Sequence, residues 1–503
     1  MNSTPDRDLP PLRRLARVCR ASLLALIPVA GAACFGGRSE ERVGQGVLII
    51  AIDGLRADHL SSRGYDRETS PNLDELSARG VSFTWNFSSA PWLVPAHVAL
   101  LTASDPNVAW RDLPESLKPT VERRWRIPVT VPHMAVEFLA RGFRTAAFVD
   151  HEWLSPVFGF ERGFQEFEAS QFNAPPRPGG SGAAGLVRRV ESWIQSIDRS
   201  EDWMAYLHLH DLQRNWQHPD TQWDTYFEPR PDRDEVPPVG NVEPVFFAVP
   251  PSRWLGGSES LGVYEARYDG AIRRLDDDLR GLFDTMDLLD RYEDTTICVV
   301  GTYGIQFGEA GMIVDSGSLS VADLQVPWIL KPARGRADFR AGAQIDAVSS
   351  SIDVAPTLLD LVGIPTVPGM HGVSQVPVLE GREPSVRNYA FASCGVQKGY
   401  AVFGDRLAYE FVYPGRAETE GLVRSWFGDE RDHVSEYVER LYDARANPYP
   451  DLSIESADSD AANPLHDEAV RWFSRVDSLR RQAQTGWVRT EQGENSLWRR
   501  ERP

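Results

Sequence analysis

Histidines and aspartates stand at the ends of apolar segments of this chain, where such side chains can carry out chemistry. His208 and His210 alternate along one predicted strand, so both side chains point to the same face, because strand side chains repeat every two residues. Asp53 ends another apolar segment, and Asp211 directly follows His210. Imidazole and carboxylate groups are zinc ligands, and zinc-bound water is a nucleophile at neutral pH. The pattern allows a metal-dependent hydrolase, although histidine pairs at strand ends are more commonly just hydrogen-bonded polar residues.

A mostly parallel sheet is expected to position these residues. Short aliphatic segments predict buried strands, and apolar residues at helix-face spacing predict helices between them. The predicted strands are 47–52, 144–149, 204–210, 295–301 and 325–331, and the clearest helices are 186–197 and 264–286. Strands that alternate with helices favour an α/β fold with helices on both faces of a large, mostly parallel sheet. Ligands bind beyond the carboxyl ends of such strands, where Asp53, His210 and Thr302 would lie.

The length and charge of the chain limit its organisation and its partners. A chain of 503 residues usually exceeds one core, so two subdomains are expected. We predict an α/β domain at 47–386 and a smaller C-terminal α+β subdomain at 387–503, where the pattern changes to a few strands and a final helix near 467–484. The net charge of −19 argues against a nucleic-acid partner, because phosphate binding needs clustered positive charge.

The first 34 residues have the pattern of an export signal. Arginines precede an apolar stretch at 21–33, which is shorter than the roughly 20 residues of a membrane span. Cys34 follows Gly31-Ala32-Ala33, and this favours lipidation of Cys34 over plain cleavage near Ala32. Residues 35–46 would then form a tether. We therefore expect an exported protein of the bacterial envelope, associated with the periplasm or the outer membrane, whose contact with the membrane surface is a lipidated Cys34.

Motifs spread over most of the chain point to one family. They lie at 47–60, 70–83, 90–103, 142–148 with 163–164, 268–276, 348–363 and 441–443. Together they resemble the sulfatase family of the alkaline-phosphatase-like superfamily. The resemblance implies that family's fold, one or two divalent cations, and covalent catalysis on sulfate or phosphate esters. It also implies that Asp53 occupies a metal-ligand position at the end of the first strand.

The resemblance places Leu93 at the position of the nucleophile. In the motif at 90–103, Pro95 matches the family's proline and His97 matches its basic residue. Family members carry Cys, Ser or Thr at the first position, because attack on the ester needs an oxygen or sulfur atom. A leucine side chain has neither.

Other positions implied by the resemblance are also altered. The family's Asp-His turn after a strand appears here as Thr302-Tyr303, and Gln213 stands where a histidine is usual. Gly54 replaces the second aspartate that many relatives carry. A calcium-type ion needs about 6–8 oxygen ligands, which one retained carboxylate does not supply. We therefore expect Asp53 to cap the turn after its strand, and His97 to form hydrogen bonds within the old cleft.

Two functional hypotheses follow. The first is a catalytically inactive sulfatase-fold protein without a cofactor, which binds an unidentified ligand or partner protein. The alternative is a hydrolase of sulfate or phosphate esters that holds a divalent cation (Ca, Mg or Zn) in a rearranged site around Asp53, His208 and His210. His59 is expected to be a surface residue, and Lys331 and Lys398 are expected to be solvated at strand ends, although either lysine could once have bound an anionic substrate group.

Overall fold

The computed structural model describes much of the chain that follows the signal. The described residues are 42–109, 111–112, 125–169, 182–213, 226–231, 249, 253–255, 260–309, 313–394, 399–412, 438–446, 448, 462–485, 487–490 and 497–500. The export signal, Cys34, most of the tether and Lys398 lie outside these ranges, so the predictions about them stay predictions. The described helices include none that is long and apolar enough to cross a membrane.

Short strands and helices alternate through the first two thirds of the chain. The strands are β1 (Gly46–Asp53), β2 (Val81–Phe83), β3 (Asn86–Phe87), β4 (Arg111–Asp112), β5 (Trp125–Arg126), β6 (Arg144–Val149), β7 (Glu166–Ala169), β8 (Trp203–Leu209), β9 (Thr295–Tyr303), β10 (Gln306–Phe307), β11 (Ile313–Asp315), β12 (Trp328–Lys331), β13 (Ala343–Ile345), β14 (Ser349–Ser350), β15 (Ala390–Cys394), β16 (Gly399–Phe403), β17 (Leu407–Val412), β18 (Val438–Asp443), β19 (Trp487–Thr490) and β20 (Leu497–Arg500).

The helices are α1 (Pro71–Arg79), α2 (Leu93–Thr102), α3 (Pro106–Ala109), α4 (Met134–Ala140), α5 (Ala183–Ser196), α6 (Leu261–Leu288), α7 (Val321–Leu324), α8 (Val354–Leu361), α9 (Val376–Leu379) and α10 (Ala462–Thr485). Short 3-10 turns lie at Ala57–His59, Ser61–Arg63, Pro156–Phe158, Asp211–Gln213 and Ser351–Asp353.

An eight-stranded sheet forms the centre of the fold, in the order β13-β2-β12-β9-β1-β8-β6-β7. Strand β1 pairs in parallel with β8 and β9, and β6 pairs in parallel with β7 and β8. Strand β12 runs antiparallel to both of its neighbours, β9 and β2. The large, mostly parallel sheet expected from the sequence is therefore confirmed.

Both faces of this sheet are buried, and β1 shows how the sequence achieves this. Leu48, Ile50 and Ile52 enter one hydrophobic cluster, which also contains residues of α1, α5 and α6. The intervening residues of β1 enter a second cluster, which also contains residues of α2, α4 and α8. Because successive strand side chains point to opposite faces, an uninterrupted apolar strand fits a sheet covered on both sides.

A second, antiparallel sheet of four strands lies near the C-terminus, in the order β15-β16-β17-β18. One apolar cluster of this sheet includes Phe403 and also contains Trp85 and Phe87 from the region of β3. Another contains Tyr400 and Phe411 and includes residues of α10. The expected change of pattern after residue 387 is present, and the domain boundary placed there stays a prediction.

Two predictions about single residues are wrong. His59 is buried rather than exposed, because its Nδ1 lies 2.8 Å from the carboxylate of Asp269 inside the fold. Lys331 is also buried, and its Nζ donates to the carbonyl oxygens of Tyr292 and Thr295. Lys331 pairs with Ile297 near the start of β9, at the edge of the sheet opposite Asp53, so it does not reach the candidate site.

Candidate active site

The carboxylate of Asp53 is the centre of a buried hydrogen-bonded cluster. Oδ1 lies 3.0 Å from Nε2 of His97 and accepts a hydrogen bond from Oγ1 of Thr302. Oδ2 lies 2.8 Å from Nε2 of His208 and 2.7 Å from Nδ1 of His210. An ionised carboxylate offers about four lone-pair positions. The four neighbours therefore occupy the hydrogen-bonding capacity of Asp53.

The parallel register of three strands and one helix brings this cluster together. Asp53 ends β1, where Ile52 pairs with Leu209 of β8 and Asp53 pairs with Tyr303 of β9. His208 and His210 therefore flank the last residue of β8 and point to one side, as the sequence predicted. His97 comes from α2. The prediction that Asp53 caps the following turn is wrong, since its carboxylate bonds to these side chains, whereas His97 does form the expected hydrogen bonds.

The electrostatics favour a charged Asp53 beside a neutral His208. Burial alone would raise the pKa of Asp53, but its interactions with His208, His97 and His210 outweigh burial, and the pKa lies well below its usual range. Burial lowers the pKa of His208 to about 3, although Asp53 opposes this. His208 is therefore neutral at physiological pH.

Hydrogen bonds also fix which nitrogen of His208 carries its proton. The backbone N–H of Asp150 donates to Nδ1 of His208 over 3.2 Å. A neutral imidazole has one donor and one acceptor nitrogen, so the proton is on Nε2 and is donated to Asp53. The hydroxyl of Tyr206 lies 2.5 Å from Nδ1 of His97, and burial raises the pKa of this tyrosine well above its usual value.

Leu93 and Tyr303 are buried residues next to members of the Asp53 cluster along α2 and β9. Leu93 begins α2 and lies one helical turn before His97, so the two share a face of the helix. Leu93 is 7% exposed and Tyr303 is 3% exposed, and both belong to the same hydrophobic cluster. Burial raises the pKa of Tyr303 well above its usual value, so this residue stays neutral.

Gln213 occupies the space beside Gly54. Gly54 has a φ of +74°, and a Cβ atom built on it would lie 2.7 Å from Nε2 of Gln213. Arg253 holds Gln213 in place by donating to its backbone oxygen over 2.7 Å and to its side-chain oxygen. A longer side chain at position 54 would therefore displace Gln213.

The cluster reaches solvent through two histidines. The side chain of His210 is 18% exposed and that of His151 is 20% exposed, and their ring centroids lie 4.7 Å apart at an interplanar angle of 77°. His151 also lies beside Trp153, which is 44% exposed. Burial, followed by the neighbouring His210, lowers the pKa of His151 to about 4.

His151 and Tyr206 are members of this site that the sequence analysis missed. His151 follows the carboxyl end of β6, which pairs with β8. The rule that ligands bind at the carboxyl ends of parallel strands could therefore have found it. Tyr206 lies inside β8, and nothing in its local sequence distinguishes it from an ordinary buried residue.

Comparison with known proteins identifies the family. The family model named Sulfatase matches residues 45–364. The chain belongs to the sulfatase family. A choline-sulfatase of Rhizobium meliloti is 23% identical over 402 residues, which cover 68% of this chain and 74% of that protein. A multifunctional alkaline phosphatase superfamily protein of Trinickia caryophylli, PehA, is 31% identical over 120 residues, which cover 24% of this chain and only 23% of that relative's own length.

The fold also agrees with this family. A phosphonate monoester hydrolase from Silicibacter pomeroyi superposes with a TM-score of 0.63 at 18% identity, over 91% of this chain and 99% of that one. At this identity the likeness shows the fold alone. The motif at 90–103 contains α2, and Leu93, which the sequence resemblance places at the nucleophile position, is the buried first residue of this helix.

The divalent cation that the sulfatase family implies fits this site poorly. Asp53, His97 and His208 each offer one ligand atom, and these atoms lie within 4.8 Å of one another. A calcium-type ion, however, needs about 6–8 oxygen ligands, and Asp53 is here surrounded by imidazoles. A zinc-type ion accepts imidazole ligands, whose other nitrogen normally donates a hydrogen bond. That nitrogen of His208 instead accepts one from the backbone of Asp150, so His208 presents a proton rather than a lone pair.

Glu309, which lies just after β10, has interactions that are structural. Glu309 pairs with Arg56, whose Nη1 lies 2.5 Å from Oε1 of this carboxylate. The other oxygen of Glu309 accepts from the backbone N–H of Phe307. Residues 310–312 lie outside the described part of the chain.

Proposed function

We propose that this protein is a sulfatase-family member that no longer hydrolyses sulfate or phosphate esters and that uses its fold to bind a ligand or partner. The observation that carries the proposal is the closed hydrogen-bond set of Asp53. Its carboxylate accepts from four neighbouring side chains, so binding a metal ion would displace hydrogen bonds that are already satisfied.

The position of the nucleophile supports the same conclusion. Displacement at sulfur or phosphorus needs an attacking atom activated by the metal or a base. Leu93 supplies no such atom, and Thr302 donates to Asp53 at a position where the family carries a second acidic ligand. The nucleophile and the metal ligands act as one catalytic unit, so the loss of either abolishes most of the activity. The altered ligand positions and Leu93 therefore both point to an inactive site.

The test is a turnover assay combined with metal analysis on the purified chain. We expect no hydrolysis of aryl sulfates or aryl phosphates above the buffer rate, with or without added Ca²⁺, Mg²⁺, Mn²⁺ or Zn²⁺. An Asp53→Ala variant serves as the control for contaminating enzymes. Turnover by the wild type that disappears in this variant would refute the proposal.

The location is part of the proposal. An exported protein tethered by a lipidated Cys34 would place the fold at a membrane surface of the bacterial envelope. Mass spectrometry of the mature N-terminus tests this, because lipidation adds a diacylglyceryl group to Cys34, whereas simple cleavage leaves an unmodified terminus near residue 33.

A metal-dependent hydrolase is the second candidate. The observation in its favour is the proximity of three ligand atoms from Asp53, His97 and His208, with His210 also on the carboxylate. The tautomer of His208 argues against this candidate, because Nε2 presents a proton to Asp53 and not a lone pair to a metal ion. Near-stoichiometric zinc in protein purified without chelator, lost in His208→Gln, would support this candidate over the inactive protein.

A further inference from the structure

The solvent-facing side of the Asp53 cluster holds two imidazoles with opposite hydrogen-bonding character. Nδ1 of His210 lies 2.7 Å from Oδ2 of Asp53, and a carboxylate oxygen accepts, so Nδ1 carries a proton. In the neutral ring the other nitrogen, Nε2, therefore carries a lone pair. A carboxylate that orients an imidazole in this way is the arrangement of Asp and His in hydrolytic triads.

His151 has the reverse arrangement. The backbone N–H of Trp153 donates to Nδ1 of His151 over 3.1 Å, which leaves the proton of the neutral ring on Nε2. Within the described residues, neither His210 Nε2 nor His151 Nε2 has a hydrogen-bond partner. A proton acceptor and an N–H donor thus stand on neighbouring rings 4.7 Å apart, both partly exposed.

We propose that Asp53, His210 and His151 form a metal-independent general-base site that hydrolyses neutral carboxylic esters. His210 Nε2 removes a proton from a water molecule while the water oxygen bonds to the ester carbonyl carbon. The carbonyl electron pair moves onto its oxygen, which accepts a hydrogen bond from His151 Nε2–H. The C–O bond to the alcohol then breaks, and the alcohol oxygen takes the proton from His210, so the site returns to its starting state.

The chemistry of the site favours an acyl ester over a sulfate ester. Attack at a carbonyl carbon needs a base and an N–H donor but no protein nucleophile, so Leu93 is no obstacle. A neutral ester also suits the local charge. The carboxylates of Glu152 and Asp53 are the negative groups acting on His151, and they would repel an anionic sulfate. Trp153, which is exposed, offers an apolar surface for the acyl or alcohol group.

The experiment measures hydrolysis of p-nitrophenyl acetate and butyrate by the full chain in the presence of EDTA. We expect turnover that His210→Gly lowers by at least about 100-fold, within the range for general acid–base catalysis. Added imidazole should restore a large part of the loss in His210→Gly, because the free base can occupy the vacated position. A merely structural role of His210 would not give this rescue.

Matched variants separate the mechanism from background imidazole reactivity. His466 is a partly buried histidine on α10 that contacts Tyr409, so His466→Gln should leave the rate unchanged. His151→Gln should reduce kcat more than it changes KM, because it removes the donor to the oxyanion. Thermal melting of each variant confirms folding, and modification of wild-type His210 by diethyl pyrocarbonate gives a second measure that needs no variant.

Three results would overturn the proposal. These are turnover no faster than free imidazole at equal concentration, an equal rate in His210→Gly, and loss of turnover on EDTA treatment with recovery on zinc. The first two results do not bear on the proposed loss of sulfatase activity, which the aryl sulfate assay tests separately. The zinc result would instead favour the metal-dependent candidate.

Discussion

Thr302→Asp tests directly whether the hydrogen-bonded cluster has replaced a metal site. Thr302 donates to Oδ1 of Asp53, and both side chains are buried. The variant replaces this donor with a second carboxylate at hydrogen-bonding range. Two like charges about 4 Å apart repel by about 4 kcal/mol at an effective dielectric constant of about 20. We therefore expect the metal-free variant to lose about 4 kcal/mol of unfolding free energy at pH 7, unless it takes up a proton.

A divalent cation should return part of this stability. Combining Tyr303→His and Leu93→Thr with Thr302→Asp gives three altered positions the residue types that the family resemblance implies, two of them beside Asp53 at the end of β9. Binding at a metal concentration of about 100 times Kd adds about 2.7 kcal/mol to the folded state. The assay is urea unfolding in EDTA and in saturating Ca²⁺ or Mn²⁺, with calorimetry to measure affinity.

Thr302→Val is the matched control, because it removes the hydroxyl without adding charge. It should lose about 1.5–3 kcal/mol, the value for a hydrogen bond to a charged group, and should not respond to metal. The reasoning fails if Thr302→Asp is as stable as the wild type in EDTA at pH 7 without proton uptake. It also fails if the wild type gains as much stability from metal as the triple variant.

Three further outcomes are expected. Asp53→Asn should lower the unfolding free energy by about 3 kcal/mol, because an amide cannot accept from all four donors; unchanged stability in denaturant titration would contradict the cluster. Leu93→Thr alone should give no aryl sulfate or aryl phosphate turnover, and detectable hydrolysis would reveal a surviving metal site. His133→Leu should stabilise the protein by about 1 kcal/mol at pH 7, since both ring nitrogens of His133 are buried and have no hydrogen-bond partner among the residues that the structure describes. Burial, followed by Arg162, lowers the pKa of His133 to about 3. Between pH 6.5 and 3 the unfolded chain therefore binds a proton there that the folded chain does not, and wild-type stability falls by about 1.4 kcal/mol per pH unit from this group as pH decreases. His133→Leu should remove that slope in unfolding curves measured from pH 7 to pH 4, and an unchanged slope would contradict the assignment.

The fold could be predicted from the sequence because β1 and its neighbouring strands are apolar segments of the length expected for buried strands. The pairing of His208 and His210 was also accessible, since the period of a strand is two. What the sequence could not supply is the direction of each hydrogen bond. The backbone N–H of Asp150, at the end of β6, decides the tautomer of His208. A sequence motif does not show which backbone N–H group of another strand will contact a side chain.

The wrong predictions for His59 and Lys331 have a common physical cause. His59 and Lys331 were read from residue type alone, as polar groups that prefer solvent. Each is buried because the tertiary fold supplies a partner, Asp269 for the imidazole and backbone carbonyls at the start of β9 for the ammonium group. Buried charge is tolerated where it is paired, and pairing between distant segments is invisible to local reasoning.

Under the proposed function, the residues around Asp53 supply its interactions in place of a metal ion. Thr302 satisfies an oxygen of Asp53 that would otherwise need a cation. Gln213 fills the space above Gly54, and Leu93 packs in the same cluster as Tyr303. Once these residues are in place, replacing Asp53 would leave four donors without an acceptor, two of them on fully buried histidines. The free-energy cost of these unpaired donors therefore disfavours replacement of Asp53. The same arrangement therefore explains two expected results: Asp53→Asn loses stability, and Leu93→Thr gives no turnover of aryl sulfates or aryl phosphates.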